Sequence, residues 1–238
     1  MKIFVLANYN LIIGVSAKCG TTTIKKYILD KLNIKIPWTN VDNFHKEFNT
    51  RILNNHEYRV YDLNKYRKLR KKKKVEDYRR ILILRNPFKR LISGIKEKSE
   101  KIAINFGYQE ETVNGFINKI KETNFFATNG FLRHHFRPQT DFENGQNITF
   151  QECYDIKDIT KIKELLNIRN DSKRMNSTNY EQNETYINDI RIKDLIKLQN
   201  TSSNVKDWFN TDNIDLIYDL YKEDFKRAKE FNIFYDEF

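Results

Sequence analysis

The chain has 238 residues, with 43 Lys and Arg against 32 Asp and Glu for a net charge of +11, 39% hydrophobic residues, 7 Gly and 3 Pro. That balance excludes collagen-like, low-complexity and wholly disordered chains and is enough to bury a core. No apolar run approaches the about 18 residues of a membrane span, and the opening segment is too short for a signal-peptide core, so the expectation is a cytoplasmic protein. Its positive charge favours anionic partners: polyphosphates, sulfated glycans or nucleic acid. Cys19 and Cys153 are the only cysteines, too few for a disulfide framework or a four-thiolate zinc site.

Two apolar runs open the chain, Ile3 to Leu6 and Leu11 to Val15, with Asn8, Tyr9 and Asn10 between them as turn chemistry. They predict two strands, the second central. Beyond Val15 the loop Ser16-Ala17-Lys18-Cys19-Gly20 leads to Ile24, Tyr27, Ile28 and Leu32 at helical spacing, ending before Ile36-Pro37. Residues 65–80 form a basic block that runs into Ile81 to Leu84, an apolar stretch suited to a strand of a parallel sheet, buried on both faces. Arg85-Asn86-Pro87 breaks that strand, and Pro87 suits the first turn of a helix carrying Phe88, Leu91, Ile92 and Ile95.

Further on, Val113, Phe116, Ile117 and Ile120 predict another amphipathic helix. A strand is expected near Ile148 to Phe150, and a short helix over Ile159, Ile162, Leu165 and Leu166. Ile214, Ile217, Tyr218, Tyr221, Phe225 and Ala228 predict one long helix, with Asp212 as its cap. Residues 170–190 and 199–206 are polar and aperiodic and read as loops, and Trp38 and Trp208 read as core or lid packing. Strands alternating with helices argue for one α/β domain over residues 1–238, with a mostly parallel sheet flanked by helices.

Two constellations carry chemistry. Lys18-Cys19-Gly20-Thr21-Thr22-Thr23 sits where a strand gives way to a helix, and the unpaired N–H groups and positive dipole of a helix start attract phosphate or sulfate. Gly20 lets the backbone approach an anion, the threonine hydroxyls add donors, and Lys18 adds a full charge. The order differs from a Walker A loop, whose lysine follows its second glycine. A plain glycine turn with threonine capping is the alternative. The second constellation, Arg85 to Ser93, also leaves the carboxyl end of a strand, and an arginine fork with a serine hydroxyl suits a second phosphate. A surface arginine beside a proline-started helix is its alternative, and Arg90 is a weaker phosphate candidate, because a helix-surface arginine fits that position equally well.

Lys18 to Thr22 resembles the 5′-phosphosulfate loop of sulfotransferases that use 3′-phosphoadenosine 5′-phosphosulfate (PAPS), and Arg85 to Ser93 resembles their 3′-phosphate motif. His135-Phe136-Arg137-Pro138-Gln139 and Leu220 to Phe225 are similar to segments of the carbohydrate branch of that family. Ala17 stands where the family has proline, and Asn86 where it often has aspartate. The resemblance implies a P-loop-type three-layer fold and sulfuryl transfer from PAPS to a hydroxyl of an anionic or neutral carbohydrate, without a metal. It gives Lys18, Cys19, Gly20, Thr21, Thr22 and Thr23 to the phosphosulfate, with Lys18 stabilising the leaving phosphate, and Arg85 and Ser93 to the 3′-phosphate. His135 is the candidate base, since a neutral imidazole is available near pH 7; a structural loop histidine is the competing reading. Asn176 and Ser177 are weaker cofactor candidates. A magnesium-dependent kinase of P-loop type and a basic nucleic-acid-binding module remain the other two readings, although Tyr66 and Tyr78 near the basic block fall in no nucleic-acid-binding motif.

Overall fold

The computed structural model describes residues 2–37, 39–69, 75–121, 130–141, 148–168, 187, 189–195 and 204–235. In chain order the elements are β1 (Lys2–Leu6), β2 (Leu11–Val15), α1 (Thr21–Leu32), α2 (Val41–Arg51), β3 (Val60–Asp62), α3 (Leu63–Leu69), β4 (Arg79–Leu84) and α4 (Pro87–Glu100). There follow α5 (Val113–Ile120), α6 (Gly130–Phe136), β5 (Glu152–Asp155), α7 (Thr160–Leu165), α8 (Ile192–Leu195), α9 (Val205–Trp208), α10 (Thr211–Leu220) and α11 (Lys222–Glu230). The chain divides into two compact units, Met1–Leu84 with Glu143–Ser177, and Arg85–Phe142 with Thr178–Phe238.

The first unit holds a five-stranded sheet in the order β3-β1-β2-β4-β5. Three neighbouring strands, β2, β4 and β5, run parallel, whereas β1 is antiparallel to both β2 and β3. The expected mostly parallel sheet is therefore a mixed one, because the short turn through Asn10, in the left-handed region at φ 46°, folds β1 back beside β2. The centre falls on β2 as its composition predicts, and all five of its residues are buried. Gly14 is required there, since a Cβ would strike the Phe150 ring. α1, α2 and α7 bring Ile24, Ile28, Phe44, Phe48 and Ile162 into one apolar cluster with Phe4, Ile13, Val15, Ile81 and Ile83. Each such side chain contributes about 1.5–3 kcal/mol of transfer free energy when fully buried.

The last strand is displaced from its predicted place, at Glu152–Asp155 rather than Ile148 to Phe150. Phe150 is buried as core just ahead of it, and the strand itself is read poorly from sequence because it alternates with polar residues at the sheet edge. Arg79 of β4 donates through Nε to Glu152 at 2.5 Å across this pair. Within the basic block, Tyr66 and Tyr78 are both buried with their hydroxyls 2.5 Å apart, so neither ring is open to a nucleic-acid base. Residues 70–74 of that block lie outside the described residues, as do Trp38, Asn176 and Ser177.

The second unit is built of helices among its described residues. Asn86 caps α4 by accepting the Lys89 N–H at 3.2 Å, with Pro87 in the first turn, so asparagine serves at this position as aspartate would. Phe88, Leu91, Ile92 and Ile95 are buried against Phe116, Ile117, Phe136, Trp208 and Ile217. Trp208 is fully buried, which makes it core. The long carboxy-terminal helix of the sequence reading is two helices, interrupted at Tyr221 (φ −110°, ψ 20°), and its cap is Asn210, which accepts the Asn213 N–H at 2.9 Å; Asp212 lies inside the first turn. No helix among the described residues is long and apolar enough to cross a membrane.

Candidate active site

In the first unit the chain leaves β2 through a tight loop. Lys18 and Gly20 both lie in the left-handed region, at φ 67° and 89°, and Cys19 between them is buried. The Ser16 carbonyl closes the loop by accepting the Cys19 N–H and the Thr21 hydroxyl, each at 3.2 Å. Glycine is favoured at position 20 by its left-handed φ, and a Cβ there would also push aside Ile159, whose Cδ1 lies 2.5 Å from where it would stand. The first rung of α1 is the Ile24 N–H to the Gly20 carbonyl at 3.0 Å, and no side chain caps the helix. The amides of residues Thr21 to Thr23 thus precede the helical ladder, the arrangement in which N–H groups and dipole converge on an anion.

The hydroxyls are less free than the sequence suggests. Thr21 is turned back onto Ser16, Thr22 Oγ1 lies 3.3 Å from His45 Nε2, and Thr23 is buried. His45 belongs to α2, which also places Asn49 Oδ1 at 3.0 Å from Lys25 Nζ. The two contacts join Thr22 and Lys25, one turn apart on α1, to His45 and Asn49, one turn apart on α2. Lys25 is buried, its ammonium 4.9 Å from the centre of the Phe48 ring, and burial first and the charge of Lys2 second push it down to about 8. Sequence reasoning missed His45, Lys25 and Asn49. The only available signal was the spacing of Phe44 and Phe48, which predicts a helix but not its polar face.

Arg85, Ser93 and His135 belong to the second unit. Arg85 is the first residue beyond β4 and Ser93 lies in the second turn of α4, both partly exposed. Gln139 grips the Arg85 main chain at two points: Oε1 accepts its N–H at 3.0 Å and Nε2 donates to its carbonyl at 2.9 Å. Gln139 is in turn held by Asp224, which is almost fully buried and also takes the backbone N–H and hydroxyl of Thr140. Tyr221 donates its hydroxyl to the Phe136 carbonyl, and burial pushes that phenol up. Arg90 is 1% exposed and donates to the His135 carbonyl at 3.1 Å, so it is an internal strut, unlike the surface arginine of the sequence reading. The His135 ring lies partly exposed against Phe131, with centroids 4.8 Å apart, and His134 beside it is exposed. Burial pushes the Arg137 guanidinium down, with Arg133 and Arg90 adding like charge and Asp141 opposing.

The Lys18–Thr23 loop thus lies in the first unit, and Arg85, Ser93 and His135 in the second. Residues 1–227 match the sulfotransferase family, and the chain belongs to that family, a class of transferases that move sulfuryl groups. No curated protein and no solved structure matches it.

Proposed function

We propose that the protein transfers a sulfuryl group from PAPS to a hydroxyl of a carbohydrate acceptor, anionic or neutral, leaving adenosine 3′,5′-bisphosphate. The observation that carries the reading is the Lys18–Thr23 loop of a sulfotransferase-family chain, with two left-handed residues, one of them a glycine at φ 89°, and helix amides without a capping side chain. PAPS, when bound, supplies a sulfuryl group on a phosphate leaving group; its bond to that phosphate breaks as one to the acceptor oxygen forms, and the hydroxyl proton goes to a base. Lys18 neutralises charge on the leaving phosphate, and the loop amides share it. Arg85 and Ser93 hold the 3′-phosphate. His135 takes the acceptor proton as a neutral imidazole. The P-loop-like, three-layer arrangement of such enzymes and the single-domain organisation belong to the same proposal.

Thermal unfolding with adenosine 3′,5′-bisphosphate, with ATP and Mg²⁺, and with neither tests it. A ligand at 100 times its Kd adds about 2.7 kcal/mol, a shift of several degrees. The bisphosphate is expected to give the larger shift, and Lys18→Ala to abolish transfer while the protein stays folded. A shift with ATP and Mg²⁺ alone would favour the kinase reading, and no shift with either would favour a basic binding module.

A further inference from the structure

We infer that Gln139, locked by Asp224, is a positioning residue that sets the preference for a nucleotide carrying a 3′-phosphate, an inference that rests on the role proposed above for Arg85. Arg85 follows the last residue of β4, one position beyond the final β4–β5 pair of Leu84 with Asp155. Gln139 extends the pairing there: its side-chain amide pairs with the Arg85 N–H at 3.0 Å and carbonyl at 2.9 Å, as a neighbouring strand would.

The orientation of the Gln139 amide admits one solution. Nε2 has two hydrogens, one on the Arg85 carbonyl and one on Asp224 Oδ2 at 3.1 Å, which leaves Oε1 to accept the Arg85 N–H. Asp224 Oδ2 also accepts the Gln139 N–H at 2.8 Å, while Oδ1 accepts the Thr140 N–H at 2.8 Å and the Thr140 hydroxyl at 2.9 Å. Four donors meet a carboxylate that is 1% exposed, with no cation in direct contact among the described residues. One turn earlier Tyr221 fixes the Phe136 carbonyl, and Arg90 fixes that of His135, so the segment from His135 to Thr140 is tied down along its length. A main chain pinned at both its polar groups has already given up its backbone freedom, and Arg85 then meets a phosphate at lower entropic cost.

The test measures, by titration, the affinities of adenosine 3′,5′-bisphosphate and of adenosine 5′-monophosphate for the wild type, Arg85→Ala, Gln139→Met and Gln139→Asn. Methionine matches glutamine in length without its polar atoms, and asparagine keeps the amide but is one methylene too short to span the gap. The expected result is a fall in the bisphosphate preference of about tenfold or more for both Gln139 variants, approaching that of Arg85→Ala, since a hydrogen bond to a charged group is worth about that factor. The affinity for the monophosphate stays near wild type, which a general loss of structure would not allow. If one Gln139 variant fails to fold, the other decides. A preference lost in Arg85→Ala but kept in a folded Gln139 variant overturns this inference alone, whereas a wild type without any preference overturns the functional reading and the inference together.

Discussion

Replacing Lys25 by methionine is expected to stabilise the protein at neutral pH and to stop doing so in alkali. The unfolded ammonium keeps its proton to about 10.5, while in the fold burial first and the charge of Lys2 second push it down to about 8. Between those values the unfolded chain binds the additional proton, so stability rises with pH there; below about 8 the ammonium is charged in both states and its full cost stands. That cost is about 3 kcal/mol. Methionine removes it but forfeits the hydrogen bond to Asn49 Oδ1, worth about 1 kcal/mol, for a net gain near pH 7 of about 2 kcal/mol. Urea unfolding of both proteins at pH 7 and at pH 10 reads this directly. The variant is expected to be the more stable at pH 7 and to lose most of that advantage at pH 10. Equal destabilisation at both pH values would mean that the ammonium pays no desolvation cost in its place between α1 and α2, and the reasoning would fail.

Two further outcomes follow from the loop and from α6. Gly20→Ala is expected to cost about 1–2 kcal/mol from the left-handed φ of 89° alone, read as a lower urea midpoint, together with weaker bisphosphate binding; an unchanged midpoint would refute the geometric demand. His135→Ala leaves the carbonyl that Arg90 holds in place, so turnover is expected to fall by about a hundredfold or more with bisphosphate affinity unchanged, and normal turnover would remove His135 as the base.

What the sequence disclosed was local in origin. A glycine after a strand and before apolar residues at helical spacing, and Asn-Pro at the end of an apolar run, each signal their structure within a few residues, and both turned out as helix starts at Thr21 and Pro87. The turn residues around Asn10 and the buried β2 and β4 were legible for the same reason, whereas the antiparallel pairing of β1 with β2 was not. What stayed hidden depends on partners distant in the chain. β5 was misplaced because Phe150, which looks like strand, is core set against Gly14. The helix break at Tyr221 is invisible in an apolar pattern that continues through it. His45 carries no local signature, because its significance is its contact with Thr22, 23 residues earlier. Gln139 and Asp224 stood out only as family-like segments, and their partnership spans 85 residues.

That span also orders events during synthesis. Arg85, Asn86 and α4 leave the ribosome long before Asp224 exists, and until then the Gln139 amide lacks the carboxylate that turns it toward Arg85. Contacts so far apart in sequence form late, since the loop they close must lose its freedom first. The turn after β4 is thus completed by residues made near the end of the second unit, and a chain stopped before Asp224 would carry the arginine without the device that holds it still.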